Sequence, residues 1–377
     1  MKKLSYTTIL AAACLLLPGC SDDATMDSFE PVVTPPASEL VADSEVLIKL
    51  SSSSSSMATR AEGYNDANGL FNTSGYTGIF CLAEDKLPQA EGIANDINWL
   101  RSKEDPDADD MVMFNVSSKV KAGNIVWDGL HYYPFSNWYK YRFYGYHTLN
   151  SDNESIEVTP SNITVPLTFT GKDDILWGKS EDNTDTQSSY AYSAKYYREH
   201  IKASTEAEIP NMEFKHMMTR LEFSVKGCDA AAYNYKVDGI TLLDAPKNLR
   251  LIVADRENEE GFVISDENSD ETVDVPLTDY LIGMSITDVE KTIKSEEYPY
   301  AFYVIPEKMH KFRIELRGLD PYVVNVSLPN FKEDQTTYAG HKYKLQLQIY
   351  GPQTIGMTAT LVDWEYEEGT HDIPVEL

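Results

Sequence analysis

Residues 343–349 read Tyr-Lys-Leu-Gln-Leu-Gln-Ile, with Tyr343, Leu345, Leu347 and Ile349 on one face and Lys344, Gln346 and Gln348 on the other. Side chains that alternate at period two describe a strand with one buried and one wet face. The spacing returns where Leu221, Phe223 and Val225 alternate with Arg220, Glu222, Ser224 and Lys226, and again in Tyr139, Tyr141 and Phe143 against Lys140, Arg142 and Tyr144. Segments 76–82, 123–128, 162–170, 235–243, 249–254, 300–305, 311–317, 322–328 and 354–364 read the same way between turn residues. Helical periodicity is confined to short stretches near 94–102 and 188–202. Many short strands separated by turns predict an all-β fold of sandwich type.

The chain has 377 residues, of which 42% are apolar and 24% charged, enough for a real core. Its length favours two domains, and the weakly patterned stretch Arg198 to Asn211 is the best boundary. The net charge of −28 repels phosphate backbones, so nucleic-acid binding is excluded. Tyr is the leading aromatic, with 24 residues against 13 Phe and 5 Trp, as strands favour.

The first residues set the compartment. Lys2 and Lys3 precede an apolar run from Thr8 to Leu17 that falls short of the roughly 20 residues a bilayer span needs. It reads as a signal peptide over 1–19. Leu17-Pro18-Gly19-Cys20 resembles the lipobox of bacterial lipoproteins, which implies acylation of Cys20 and a tether to the outer membrane without a spanning helix. Ser21-Asp22-Asp23 is similar to the acidic signal that sends lipoproteins of Bacteroidetes to the cell surface. Cys81 and Cys228 fit either a disulfide, which an oxidising envelope permits, or separate thiols in apolar strands.

Residues 21–44, with Pro31, Pro35 and Pro36, read as an extended tether. Then comes an isolated strand, Val46 to Leu50, with Val46, Ile48 and Leu50 on one face. Ser51 to Ser56 follow as a flexible polar run, leading into Thr59-Arg60-Ala61.

Chemistry is sparse. No phosphate loop, dinucleotide fingerprint, nucleophile elbow or zinc-protease motif is present, and the seven His show no metal-ligand spacing. Asp105 to Asp110 opens like a calcium loop but has Asp110 where Gly is needed and Val116 where Glu is needed. Asp266 to Glu271 reads as a second solvated acidic loop. No cofactor, metal or catalytic residue is expected. The aromatic run Tyr132 to Tyr146 fits a sheet core better than a sugar-stacking platform.

Together these features resemble the fimbrillin family of Bacteroidales, subunits of pili assembled from lipoprotein precursors. The residues that carry the likeness are Leu17 to Cys20, the strand Val46 to Leu50, Thr59-Arg60-Ala61, and Asp173-Asp174 before Ile175-Leu176-Trp177-Gly178. Phe214 to Leu221 and Val362-Asp363-Trp364 complete the set. The resemblance implies two tandem transthyretin-like Greek-key β-sandwich domains, here 61–208 and 209–377, behind a propeptide over 20–60. It implies an Arg-specific protease that cuts after Arg60, frees Ala61 and removes the strand bearing Val46, Ile48 and Leu50. A strand of another pilin subunit then fills the groove. The candidate donor is the run Ile355 to Trp364, with Ile355, Met357, Ala359 and Leu361 on one face. A tail folded back on its own domain would mark a tip or anchor; anchors tend to lack the Arg, so Arg60 points to stalk or tip. Adhesion to a host or bacterial surface receptor is the implied output.

The physics agrees with that scheme. A strand in a groove satisfies both neighbouring edges, and its loss leaves an apolar slot that favours a replacement. Donor and acceptor surfaces differ, so the contact is head-to-tail and open-ended. The rival readings are a surface glycan-binding lipoprotein and, second, a lipoprotein glycoside hydrolase, since 60 acids guarantee chance carboxylate pairs.

Overall fold

The computed structural model describes residues 45–54, 75–87, 96–105, 108–121, 124–135, 138–149, 155–184, 192–258, 260–277, 283–294, 301–329, 338–350 and 354–362. The expected all-β class holds: only two α-helices, Trp99–Glu104 (α1) and Ala194–Ala203 (α2), interrupt the strands described.

The first half supplies β1 (Val46–Leu47), β2 (Leu50–Ser54), β3 (Tyr76–Lys86), β4 (Met111–Lys121), β5 (Asn124–Trp127), β6 (Tyr132–Tyr133) and β7 (Tyr139–Thr148). β8 (Glu157–Val158), β9 (Asn162–Thr168), β10 (Leu176–Ser180) and β11 (Asn211–His216) follow. Seven of these close into a barrel in the order β10, β11, β2, β5, β4, β3, β7. β7 is buried along its whole length. Lys140 and Arg142, expected on a wet face, are covered too, because Lys140 pairs with Asp85 at 3.6 Å and Arg142 with Asp182 at 2.8 Å and Glu84 at 3.4 Å. Where β7 meets β10, Gly145 stands opposite Gly178. A Cβ on Gly145 would come within 2.7 Å of Ile79, and one on Gly178 within 2.8 Å of Phe214, so the interior closes only without side chains there.

The second half adds β12 (Thr219–Gly227), β13 (Lys236–Pro246), β14 (Asn248–Asp255), β15 (Phe262–Ser265), β16 (Thr272–Pro276) and β17 (Met284–Ser285). After these come β18 (Lys291–Thr292), β19 (Ala301–Val304), β20 (Met309–Leu316), β21 (Tyr322–Ser327), β22 (Lys342–Tyr350) and β23 (Thr354–Val362). One sheet runs β18, β12, β22, β23, with β19 also on β12; another runs β16, β13, β20, β21, with β17 on β13. They face each other through Phe223 of β12 and Phe312 of β20, whose ring centres are 5.4 Å apart, with Phe302 of β19 alongside. This is the sheet-on-sheet packing that period-two apolar faces require.

Pairing runs across position 208, the expected boundary. β11, just beyond it, is a barrel strand between β10 and β2, while β9 from before it shares a sheet with β8, β14 and β15. Trp177 of β10 adds a second tie, its indole N–H donating to the Val253 carbonyl at 2.7 Å.

Candidate functional site

Within the segment 46–54, β2 is a strand of the barrel wall, and β1 just before it pairs with β6 in a separate two-stranded sheet. Val46, Ile48 and Leu50 are 4%, 3% and 3% exposed, whereas Lys49 between them points to solvent. Period two read from the sequence therefore picked the buried face correctly, although the strand is broken at Ile48 and Lys49 into β1 and β2. On one side Val46 and Leu47 pair with Tyr133 and Tyr132 of β6. The Ile48 N–H donates to the His131 carbonyl at 2.8 Å, and Leu50 and Ser51 pair antiparallel with Ile125 and Asn124 of β5. On the other side Ser51 to Ser54 run parallel to Asn211 to Phe214 of β11.

The serine run thus departs from the flexible linker that its composition predicts. Ser51 to Ser54 are strand, because the ladder is made by backbone groups that any residue carries. Ser51 is pinned further: its N–H donates to the Pro210 carbonyl at 2.9 Å, and its hydroxyl lies 3.2 Å from that oxygen and 3.2 Å from Asn211 Oδ1.

Beneath β1 lies a tyrosine-rich core. Tyr133 packs on Tyr197 of α2 at 5.4 Å between ring centres and on Tyr141 and Phe143 of β7. α2 starts at Ser193, whose hydroxyl accepts from the Tyr196 N–H, and the Tyr192 and Tyr141 backbones exchange hydrogen bonds of 2.7 and 2.8 Å. Burial pushes the Tyr133, Tyr141 and Tyr197 hydroxyls and the Cys81 thiol upward, so all stay protonated. Taking 46–54 away would uncover this apolar floor together with the β5 and β11 edges.

The remaining sequence candidates fall as follows. Cys20, Arg60 and Ala61 lie outside the described residues. Ile355, Met357, Ala359 and Leu361 are on β23, which pairs along its full length with β22 and forms the edge of its sheet. Met357 and Ala359 are buried there. Cys81 and Cys228 are separate thiols. In the run 132–146 the expected core reading holds for Tyr133, Tyr139, Tyr141, Phe143, Tyr144 and Tyr146, and among its described aromatic residues Phe135 and Trp138 are strongly exposed. Asp110, from the calcium-like loop, is occupied structurally, forming a 2.6 Å ion pair with Arg101 and accepting the Asn98 N–H.

Two stretches that carried the family resemblance meet in space. β10 and β11 pair with Leu176 opposite His216, and Asp174, fully buried, is 2.7 Å from His216 Nδ1. A carboxylate only accepts, so Nδ1 carries the hydrogen. Thr148 bonds to the neighbouring Asp173, and Arg220 pairs with Glu222 at 2.7 Å over the Tyr303 ring. The sequence stretches contain Asp174 and His216 but do not show their partnership, since pairing between distant strands leaves no local signal.

A sequence model of the Fimbrillin-like family matches residues 99–364, well over half of the chain. The protein belongs to the fimbrillin-like family. It is a pilus subunit, located on cell-surface fimbriae and working beside other pilin subunits, in a family of structural proteins. Among solved structures, this fimbrillin is similar to a fimbrial protein from Bacteroides vulgatus, at 14% identity and TM-score 0.47, covering 85% of this chain and 100% of that one. It is also similar to two Porphyromonas gingivalis proteins. The tip fimbrial protein Mfa3 with C-terminal truncation shares 10% identity at TM-score 0.38, covering 85% and 100% of the two chains. The fimbrial anchor protein Mfa2 shares 7% at 0.31, covering 85% and 98%. Global likeness at that level carries no argument, and membership rests on the sequence match. No curated protein matches the fimbrillin chain.

Proposed function

We propose that this fimbrillin is exported as an outer-membrane lipoprotein through Cys20, cut after Arg60 by an Arg-specific protease, and joined to its neighbours by strand exchange. The observation that carries the reading is the slot: Leu50–Ser54 complete a closed barrel and Val46–Leu47 pair with β6 beside it, yet all belong to the segment that a cut at Arg60 would sever. Once severed, the strand is held only by contacts, and its loss leaves β5 and β11 with unpaired edges over an apolar floor.

The donor we assign is β23 of a second copy. It is an edge strand held by one ladder, and it carries Ile355, Met357, Ala359 and Leu361 at the period that the slot reads in Val46, Ile48 and Leu50. In the free subunit β23 folds back on β22, so it has to leave that edge to serve; with Arg60 present, the subunit belongs to stalk or tip. The chain acts by assembly and surface adhesion, without catalysis or cofactor.

N-terminal sequencing of the protein recovered from cell surfaces tests the scheme, with Ala61 expected. Recovery of intact chains beginning at Cys20 in polymerised fimbriae would overturn it. In the companion experiment an Arg60→Ala precursor treated with trypsin is expected to stay monomeric, whereas the wild type forms detergent-resistant ladders.

A further inference from the structure

The inward face of the first strand does not end at Leu50. Period two carries it on to Ser52. The three preceding inward residues are apolar and sealed in the core, but the Ser52 hydroxyl oxygen, equally sealed from solvent, has no hydrogen-bond partner among the described residues. Ser52 is opposite Met212 of β11 in parallel register. Met212 is fully buried, and its terminal methyl closes on Gly145 across the interior, only 3.1 Å from where a Cβ there would stand. The position is therefore lined for an apolar side chain and holds a polar one.

A serine is a poor occupant on two counts. It buries little apolar area, and its hydroxyl gives up water without a replacement partner. Ser51 next to it does not share the defect, since its hydroxyl reaches Pro210 and Asn211. The weakness is confined to one inward position, on the side of the strand that leads toward Arg60, where the cut leaves a free end. Chain ends open more readily than strand centres, so the weak position and the loose end coincide.

We propose that Ser52 marks the socket where replacement starts: the resident strand releases there first, and a strand of a second copy inserts an apolar side chain beside Met212. This rests on the strand-exchange reading above. The continuous chain holds the barrel shut despite the serine, and once the chain is cut the serine leaves the site open to a better occupant. Residues 46–50 then act as the anchor that is displaced last.

The test compares full precursors of wild type, Ser52→Val and Ser52→Thr, each cut with trypsin and followed by ladder formation on mild-detergent gels. Val and Thr share a shape and differ by the hydroxyl. Ladders from Ser52→Val are expected about tenfold more slowly than from wild type, as removal of a buried unpaired hydroxyl implies. Those from Ser52→Thr should stay within about twofold of wild type. Ser52→Val ladders as fast as wild type would overturn the proposal. Absence of ladders from the cut wild type would instead sink strand exchange itself. An independent arm uses amide hydrogen exchange on the trypsin-cut wild-type precursor before ladders form, where the Ser52 to Ser54 amides are expected to open before those of Leu47, Ile48 and Leu50. Equal protection along the segment would also overturn the proposal.

Discussion

Ile48→Ala should weaken the uncut precursor and leave the trimmed, polymerised subunit untouched. Ile48 is 3% exposed and sits midway between the other two anchors, Val46 and Leu50. Full burial of such side chains contributes ~1.5–3 kcal/mol each by area. For three of them, after allowing for area already buried in the unfolded chain, that is about 4–8 kcal/mol. A strand held that firmly, once severed, has a dissociation constant between about 1 mM and 1 µM. Before the cut the 21 residues between Ser54 and Tyr76 keep its effective concentration in the millimolar range, so it stays in place. Ile48→Ala removes about 2–5 kcal/mol from that hold by lost transfer energy and the cavity left behind. Urea unfolding of the uncut precursor should report a loss of this size, with exposed Lys49→Ala as a control near zero. Polymer grown from the trimmed Ile48→Ala protein should match wild type, because residue 48 is no longer in it. An equal loss of stability in both forms would refute the assignment of residue 48 to a removable strand.

Other outcomes can be checked directly. Burial holds His147 down to about 3 and His310 to about 4, against an ordinary 6.5. The unfolded chain therefore binds more protons than the folded one below pH 6.5, and stability falls as pH drops from there, by about 1.4 kcal/mol per pH unit for each histidine. Urea midpoints that do not move between pH 7 and pH 5 would contradict this. Trp177→Phe should cost about 1–3 kcal/mol, because it orphans the buried Val253 carbonyl. Gly261→Ala is expected to cost about as much, since its Cβ would fall within 2.4 Å of the Trp177 indole, and overpacking of this kind costs ~1–3 kcal/mol. Thermal melts of both variants report it. Cys20→Ser should abolish labelling of the chain by fatty-acid precursors and release it from membranes.

The strands most legible in the sequence are those with one wet face. Tyr343 to Ile349 alternate in the structure as they do on paper, and so do Val46, Ile48 and Leu50. Two kinds of strand carry no such signal, and a third misleads about its faces. Ser51 to Ser54 carry no apolar periodicity, so nothing marks them until β5 and β11 supply partners for their backbone. Met111 to Lys121 gave no strand signal, and its register slips where Asn115 takes a left-handed backbone angle, with a φ of 47°. β7 reads as a strand with a wet face, because Lys140 and Arg142 look solvent-bound until their acidic partners on β3 and beyond are known. Local pattern decides which residues turn inward. It cannot decide which distant edge they meet, and that is why the tie between Asp174 and His216 had to come from the structure.

The slot between β5 and β11 also reads direction. Residues 46–54 run antiparallel to one neighbour and parallel to the other. These two ladders space their hydrogen bonds differently, so a strand inserted backwards would meet each edge with the wrong pattern. Under the strand exchange proposed above, every subunit joined through such a slot would point the same way along the fibre. A filament built from such joints would be polar: its two ends would be chemically unlike, one presenting an empty slot and the other an unused strand, and either end could be terminated by a different cap.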